Sequence, residues 1–305
     1  MFPDNPHVDV FVPDRLPPAE ALTRTTHLSI AAHQDDIEIM AYHGIAECFG
    51  IVDRWFTGVV ATNGAGSPRS GIYADLSDEE MQRVRIQEQR KAAFVGDYAC
   101  QIQLGYSSGQ VKNPAGPLAG DLCAILRAAR PQVVYLHNLA DKHDTHVAVA
   151  LRAIAALRSV REETRPRAVY GCEVWRDLDW LPDQDKRPLP VSARSNIAAA
   201  LVGVFDSQVS GGKRYDLATA GRRLAHATYF ASHSTDQESA LNFAMDLTPL
   251  IDDPTLPIAA YVLSFIERFR EDVANRLKGE PRCSVPVLPK TVLVKDCIRG
   301  GRGVL

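Results

Sequence analysis

The chain has 305 residues, 46% hydrophobic and 23% charged, with a net charge of −3 and a pI near 6.3. That length holds one large α/β domain or two small ones, and the composition is ordinary for a globular protein. The weak negative charge excludes the electrostatic footprint of a nucleic-acid or anionic-membrane binder, and no apolar run reaches the ~18 residues of a membrane span.

The opening MFPDNPHVDVFVPDRLPPAE lacks the basic and apolar regions of a signal peptide, so residues 1–24 are expected to form an ordered or semi-ordered lead-in. THLSIAAH then predicts a buried strand, and the run from about Asp36 to Phe49 a helix. RWFTGVVATN is a second strand, ending in the loop GAGSPRSGIYADLSDEE. DEEMQRVRIQEQRKAAFVG has helical spacing, with Ser77 or Asp78 as its N-cap. LAGDLCAILRAARP is a helix leading into the short β-rich run QVVYLHN. After LADKHDTH a helix resumes at VAVALRAIAALRS, and RAVYGCEVW is a further strand. Strands separated by helices of this length predict an α/β fold with a doubly wound, mainly parallel sheet, whose ligand chemistry gathers at the carboxyl ends of the strands.

Beyond about residue 180 the pattern loosens. LPDQDKRPLPVSA reads as a Pro-rich, charged loop; GGKRYDLATAGRRLAHATYFASH and IAAYVLSFIERFREDVANRLKG read as helices. One domain is therefore expected over residues 25–280, followed by an extended tail over 281–305 with apolar alternation around Val285–Val294. Such a tail is available as an edge strand or as a reach onto a neighbouring subunit, which would make a homo-oligomer. The six cysteines (Cys48, Cys100, Cys123, Cys172, Cys283 and Cys297) include no C-x-x-C pair, which argues against a thiolate zinc site or redox dithiol. Their dispersed, mostly apolar surroundings suggest reduced thiols and a cytoplasmic protein.

Two strand-to-helix corners carry chemistry. In LSIAAHQDDIEIMAYHGI, residues 29–46, His33, Asp35 and Asp36 stand within four positions directly before a helix. Taken alone they read as a cap, because Asp at a helix start accepts backbone N–H bonds and suits the helix dipole. DKHDTHVAVA, residues 141–150, repeats the arrangement: His143 and His146 fall on one side of the first helical turn, with Asp144 as a candidate cap. Both corners would meet at one edge of a parallel sheet. One His and one Asp from the first plus one His from the second make a two-histidine, one-carboxylate set, and three protein ligands leave a zinc ion a position open for water.

The two corners resemble those of the LmbE-like, or PIG-L, zinc-dependent N-acetylglucosamine deacetylases. AAHQDDIEI is similar to the family's AHPDDE signature and DKHDTHVAV to its later H-P-D-H motif. VVATNGAGSPRSG resembles its T-x-G-x-x-G loop, RIQEQRKAAFVG its R-x-x-E-x-x-x-A-x-x-x-G helix, and RPQVVYLHN the strand before its second histidine motif. The resemblance spans roughly residues 25–175. It implies a Rossmann-like fold, Zn2+ held by His33, Asp36 and His146, and Asp35 as the base that takes a proton from water. It also implies that His143 stabilises the oxyanion and protonates the departing amine, and that Arg69 contacts a small-molecule amino-sugar substrate. The sequence departs from the pattern at Gln34, which replaces Pro, and at Ile37, which stands where Glu is usual with Glu38 one place later. Thr145 occupies the position of the Asp that commonly orients the second-motif histidine, leaving Asp141 or Asp144 for that task.

Other motifs rank lower. Gly64-Ala65-Gly66 follows a strand, but Pro68 and Arg69 spoil a dinucleotide fingerprint, and Ser207 stands where a P-loop before Gly212-Lys213 needs glycine. His43, His226 and His233 read as packing or surface residues, and Trp175 and Trp180 as core or sugar-stacking rings. Three function classes follow. The leading one is a metal-dependent hydrolase that removes acetyl from an N-acetylated amino sugar or its conjugate. The others are a zinc hydratase or lyase acting on an unsaturated acid, and a non-catalytic carbohydrate-binding member of the fold.

Overall fold

Alternate residues of the strand Val133–His137 enter opposite cores: Val134 and Leu136 pack into one apolar cluster, Val133 and Tyr135 into the other. A strand buried on both faces must carry apolar side chains at successive positions, which is why it reads as a continuous run. The computed structural model describes residue 5 and residues 7–278. The lead-in supplies β1 (Asp9–Phe11) and α1 (Pro18–Thr23). The chain continues through β2 (His27–Ala31), α2 (Asp36–Met40), α3 (Tyr42–Cys48), β3 (Phe56–Thr62), α4 (Asp78–Val95), β4 (Cys100–Tyr106), α5 (Ser108–Lys112), α6 (Leu118–Ala129) and β5 (Val133–His137). It then forms α7 (Asp144–Ser159), β6 (Ala168–Cys172), β7 (Lys186–Pro190), α8 (Ser195–Gly203), α9 (Asp206–Val209), α10 (Tyr215–Tyr229), β8 (Leu241–Asp246), α11 (Pro249–Asp252) and α12 (Ile258–Leu277).

The strands form one mixed sheet in the order β1-β4-β3-β2-β5-β6-β8-β7. The central run from β4 to β6 is parallel throughout, and β1, β8 and β7 join it antiparallel at the two sides. Apolar clusters on both faces make it a doubly wound α/β sheet, as expected. From β2 the chain crosses to β3 on one side and later returns to β5 on the other, so β2 and β5 border the topological switch point. Their carboxyl ends open the two corners side by side, in the crevice where such sheets hold ligands.

Several elements differ from the sequence expectation. The helix predicted from Asp36 to Phe49 breaks at Ala41 (φ −112°) into α2 and α3. At the break, side chains from elsewhere in the chain take over carbonyls: Arg223 donates to the oxygens of Glu38 and Ile39, and Asn242 to those of Ile39 and Met40. The segment read as a Pro-rich loop contains β7, whose one neighbour among the described residues is β8. Pro188 and Pro190 are tolerated there because an edge strand needs ladder partners on one side only. The sequence pattern does not announce β4 or β8; in β4, Gln101 and Gln103 break the apolar run because both are buried in a polar network beneath the sheet edge. The tail read over 281–305, with Cys283 and Cys297, lies outside the described residues. Cys48, Cys100, Cys123 and Cys172 are buried free thiols, and among the described residues no helix is long and apolar enough to cross a membrane.

α4 matters to the site because it carries Arg85, Glu88 and Gln89 on its buried face. Its start is fixed by a capping box: Ser77 Oγ accepts from the Glu80 N–H and the Glu80 carboxylate accepts from the Ser77 N–H. Ser77→Ala is expected to lower stability by about 1 kcal/mol in urea unfolding, and an unchanged midpoint would contradict the capping role.

Candidate metal centre

The first corner begins where β2 ends. Ala32 N–H donates to His137 Nε2 at the end of β5 (2.9 Å), which ties the two switch-point strands together. Asp36, the first residue of α2, turns its carboxylate back so that Oδ2 accepts the His33 N–H (2.7 Å). The same oxygen lies 3.2 Å from His33 Nδ1 and 3.4 Å from His146 Nε2, and those two nitrogens are 3.2 Å apart. Ligands about 2.0–2.2 Å from a tetrahedral centre stand roughly 3.3–3.6 Å from one another, so this triangle has the size of one face of such a shell. Two imidazoles and a carboxylate are also the donor types a divalent transition metal takes. The residues present therefore fit a metal ion.

Asp36 and His146 are buried, while His33 is half-buried at the opening. Burial alone would push the Asp36 carboxyl up, but the imidazoles of His146, His137 and His33 around it hold it well below the usual carboxylate range. Asp35 points elsewhere. It has φ +88°, a left-handed backbone that non-glycine residues adopt only when the surroundings impose it. Here Gln89 Oε1 accepts the Asp35 N–H (3.4 Å), and Arg85 donates to the Gln34 carbonyl while its Nη2 lies 3.3 Å from Asp35 Oδ2. Arg85 is itself buried beside Glu88, whose carboxylate accepts from both the N–H and the hydroxyl of Ser207 (2.7 Å each). Burial raises the pKa of Asp35 above the usual carboxylate range, against the pull of Arg85 and with the Asp36 charge adding to the rise.

At the second corner, Asp141 rather than Asp144 does the bracing. Asp141 Oδ1 accepts the His143 N–H (2.9 Å), while Oδ2 accepts the Trp175 N–H (3.1 Å) and lies 3.5 Å from His146 Nδ1. The imidazole it orients is that of His146. Asp144 is exposed at the first position of α7, and the cap is His143, whose Nδ1 accepts the Thr145 N–H (3.3 Å). With Nδ1 accepting, the neutral ring carries its proton on Nε2. Burial, aided by the neighbouring His146 and His33, lowers the His143 pKa. His33, His143 and His146 each offer a ring nitrogen within 4.8 Å of the others, and so do Asp36, His137 and His146 with their own ligand atoms.

His137 is the residue that the sequence reading missed. It is fully buried, stacks on His146 with ring centroids 3.9 Å apart, and sits 3.5 Å from Asp36 Oδ2. Its Nε2 lone pair already accepts from Ala32, so it braces the set rather than extending it. The signal is present in QVVYLHN, where a histidine ends an otherwise apolar strand pointed at the crevice.

A cleft of about 220 Å³ opens over these groups, lined by His33, Asp35, Asp36, His143 and the loop from Thr62 to Pro68, and closed by Trp175, Gln208, Lys213 and Tyr215. Arg69 does not line it: its guanidinium is held by the Ala65 carbonyl and the Asp78 carboxylate. Gly64 (φ +72°) lets the loop pass close to the site, since a Cβ there would stand 2.7 Å from Gln34 Oε1 and 3.0 Å from Arg85 Cγ. Gly64→Ala is expected to cost about 1–2 kcal/mol in urea unfolding through the left-handed backbone alone, and no loss would show that the loop can move aside.

Residues 28–157 match the model of the family described as PIG-L: GlcNAc-PI de-N-acetylase. No curated protein matches the chain. Among solved structures, the fold is similar to that of the conserved protein TT1542 from Thermus thermophilus, with a TM-score of 0.58 and 20% identity over 76% of this chain and 98% of that one. It is also similar to GalB, the 4-carboxy-2-hydroxymuconate hydratase from Pseudomonas putida, with a TM-score of 0.58 and 16% identity over 73% of this chain and 95% of that one. A third is the N,N'-diacetylchitobiose deacetylase from Pyrococcus horikoshii, with a TM-score of 0.52 and 14% identity over 72% of this chain and 83% of that one. The family match spans both corners, and over residues 28–157 the chain is similar to the PIG-L family.

Proposed function

We propose that the protein is a metal-dependent hydrolase that removes the acetyl group from an N-acetylated amino sugar or a conjugate of one. The observation that carries this reading is the triangle of His33 Nδ1, Asp36 Oδ2 and His146 Nε2, with Asp35 and His143 beside it on the cleft wall. In this reading those three residues hold a zinc ion. Bound there, zinc would lower the pKa of water towards ~7 and polarise an amide carbonyl, which is otherwise a poor electrophile.

The chain's own residues then supply the proton transfers. Asp35, kept out of the ligand set by its φ +88° backbone and by Arg85, accepts a proton from the attacking water. His143 carries its neutral-form proton on Nε2 and so hydrogen-bonds the developing oxyanion, then helps pass to the departing amine the proton that Asp35 has taken from water. Asp141 and His137 keep the His146 ring in place. Trp175 lends the cleft a half-buried indole ring against which a sugar would pack, and Lys213, whose Nζ lies 5.2 Å from the ring centre, is a polar contact beside it. Arg69 enters substrate binding through the loop: by tying Ala65 to Asp78 it fixes the wall that faces the sugar.

The two neighbouring carboxylates separate metal binding from catalysis. Asp35→Asn is expected to keep zinc while kcat for acetate release falls by about 10²–10⁴-fold, the usual contribution of a positioned base. Asp36→Asn is expected to lose zinc itself, and His143→Ala to behave like Asp35→Asn. Zinc content and acetate release measured on all three decide the matter. Loss of metal in Asp35→Asn with retention in Asp36→Asn would reverse the two roles. Water addition to an unsaturated acid without acetate release from any N-acetyl amino sugar would favour the hydratase reading.

Arg69→Ala is expected to raise KM more than it lowers kcat, since it acts on bound and reacting substrate alike. An unchanged KM across several N-acetyl sugars would remove Arg69 from the site.

A further inference from the structure

A second recess, sharing no lining residue with the metal cleft, lies between α8 and α10. It encloses about 280 Å³, and its walls are mostly small or aliphatic: Ala198 and Val202 of α8 face Ala220 and Leu224 of α10, and Val191 and Ala240 close one end. Leu224 is 57% exposed on the rim. At the floor stands Arg223, only 6% exposed.

A buried guanidinium is costly unless its charge is compensated and its donors are used. Arg223 uses three of its five N–H groups: Nε donates to Asn242 Oδ1 (3.2 Å), and Nη2 to the carbonyls of Glu38 (2.8 Å) and Ile39 (3.0 Å). Among the described residues nothing accepts from Nη1, and no carboxylate lies within ion-pair distance of the guanidinium. The one acid on the recess wall, Asp216, has both oxygens engaged by Arg214 (3.0 and 2.7 Å). Burial pushes Arg223 down to about 10, opposed by the Tyr42 phenol and by no carboxylate. The arrangement is an apolar trough ending in a cation that has the Tyr42 ring 5.1 Å away but no carboxylate partner, with two donors unused.

We propose that this recess binds a small organic carboxylate with an apolar chain, its head group on Nη1 of Arg223 and its chain lying between α8 and α10. A carboxylate supplies at once the missing charge and the missing acceptor, whereas a neutral apolar molecule supplies neither. Nη2 of Arg223 caps the end of α2, the helix that begins at Asp36, so the ligand would sit one side chain from that helix.

Octanoate is a suitable probe, with octan-1-ol as its uncharged counterpart. Isothermal titration calorimetry on the full chain is expected to show saturable octanoate binding, and octanol binding weaker by at least about tenfold, the factor that a charge-assisted hydrogen bond contributes. Arg223→Gln is expected to abolish the difference between the two. Because Arg223→Gln also disturbs the end of α2, a second variant, Ala220→Phe, fills the trough from the rim and leaves the Arg223 hydrogen bonds in place; it is expected to weaken octanoate by a similar factor. No octanoate binding, equal affinity for octanol, or undiminished octanoate binding in Ala220→Phe would each overturn the proposal. None of these outcomes depends on whether the protein releases acetate.

Discussion

The carboxylate of Asp36 is the constraint around which the site is built. It is buried at the first turn of α2, and its Oδ2 accepts the His33 N–H while three imidazoles approach it within 3.5 Å. A buried carboxylate without such partners would be protonated or would open the corner to water. Its partners come from the ends of both switch-point strands, His33 after β2 and His137 and His146 at and beyond β5. Compensating that one charge therefore requires the sheet order that sets those strands side by side. The same charge keeps the imidazoles facing inward, and the cluster is ready for a cation before one arrives.

Next to it, the backbone at Asp35 is held in a strained conformation by groups from α4 and by the neighbouring Gln34. Arg85, Gln89 and Gln34 form a buried polar frame around the residue, and Glu88 with Ser207 fixes Arg85 from behind. Strain of this kind persists where the surroundings over-determine it, and it separates two adjacent carboxylates that a relaxed helix start would leave equivalent. Asp36 faces the imidazoles and Asp35 faces the cleft, so each meets a different electrostatic environment.

Much of this is legible in the sequence, for physical reasons that also explain what is not. β2, β3, β5 and β6 are buried on both faces, so their composition alone marks them, and the His and Asp residues at two strand ends stand out because such positions have no core role. Gln101 and Gln103 hide β4, since their burial depends on partners distant in sequence. The break at Ala41 is invisible because Arg223 and Asn242, which take over its carbonyls, lie about two hundred residues away. The departures at Gln34 and Thr145 resolve in the same way: Gln34 bonds Thr62 and Gln103, and Asp141 braces His146 in place of an aspartate at position 145. Lys213 and Tyr215 reach the cleft from a region whose sequence pattern says only that it is helical.

The most direct test of this account is X-ray absorption at the zinc edge on the zinc-loaded protein. The geometry predicts a first shell of two imidazole nitrogens and oxygen at about 2.0–2.2 Å, with the multiple-scattering signature of two histidines. A shell containing sulfur, or one made of oxygen alone, would contradict the assignment of the ion to His33, Asp36 and His146.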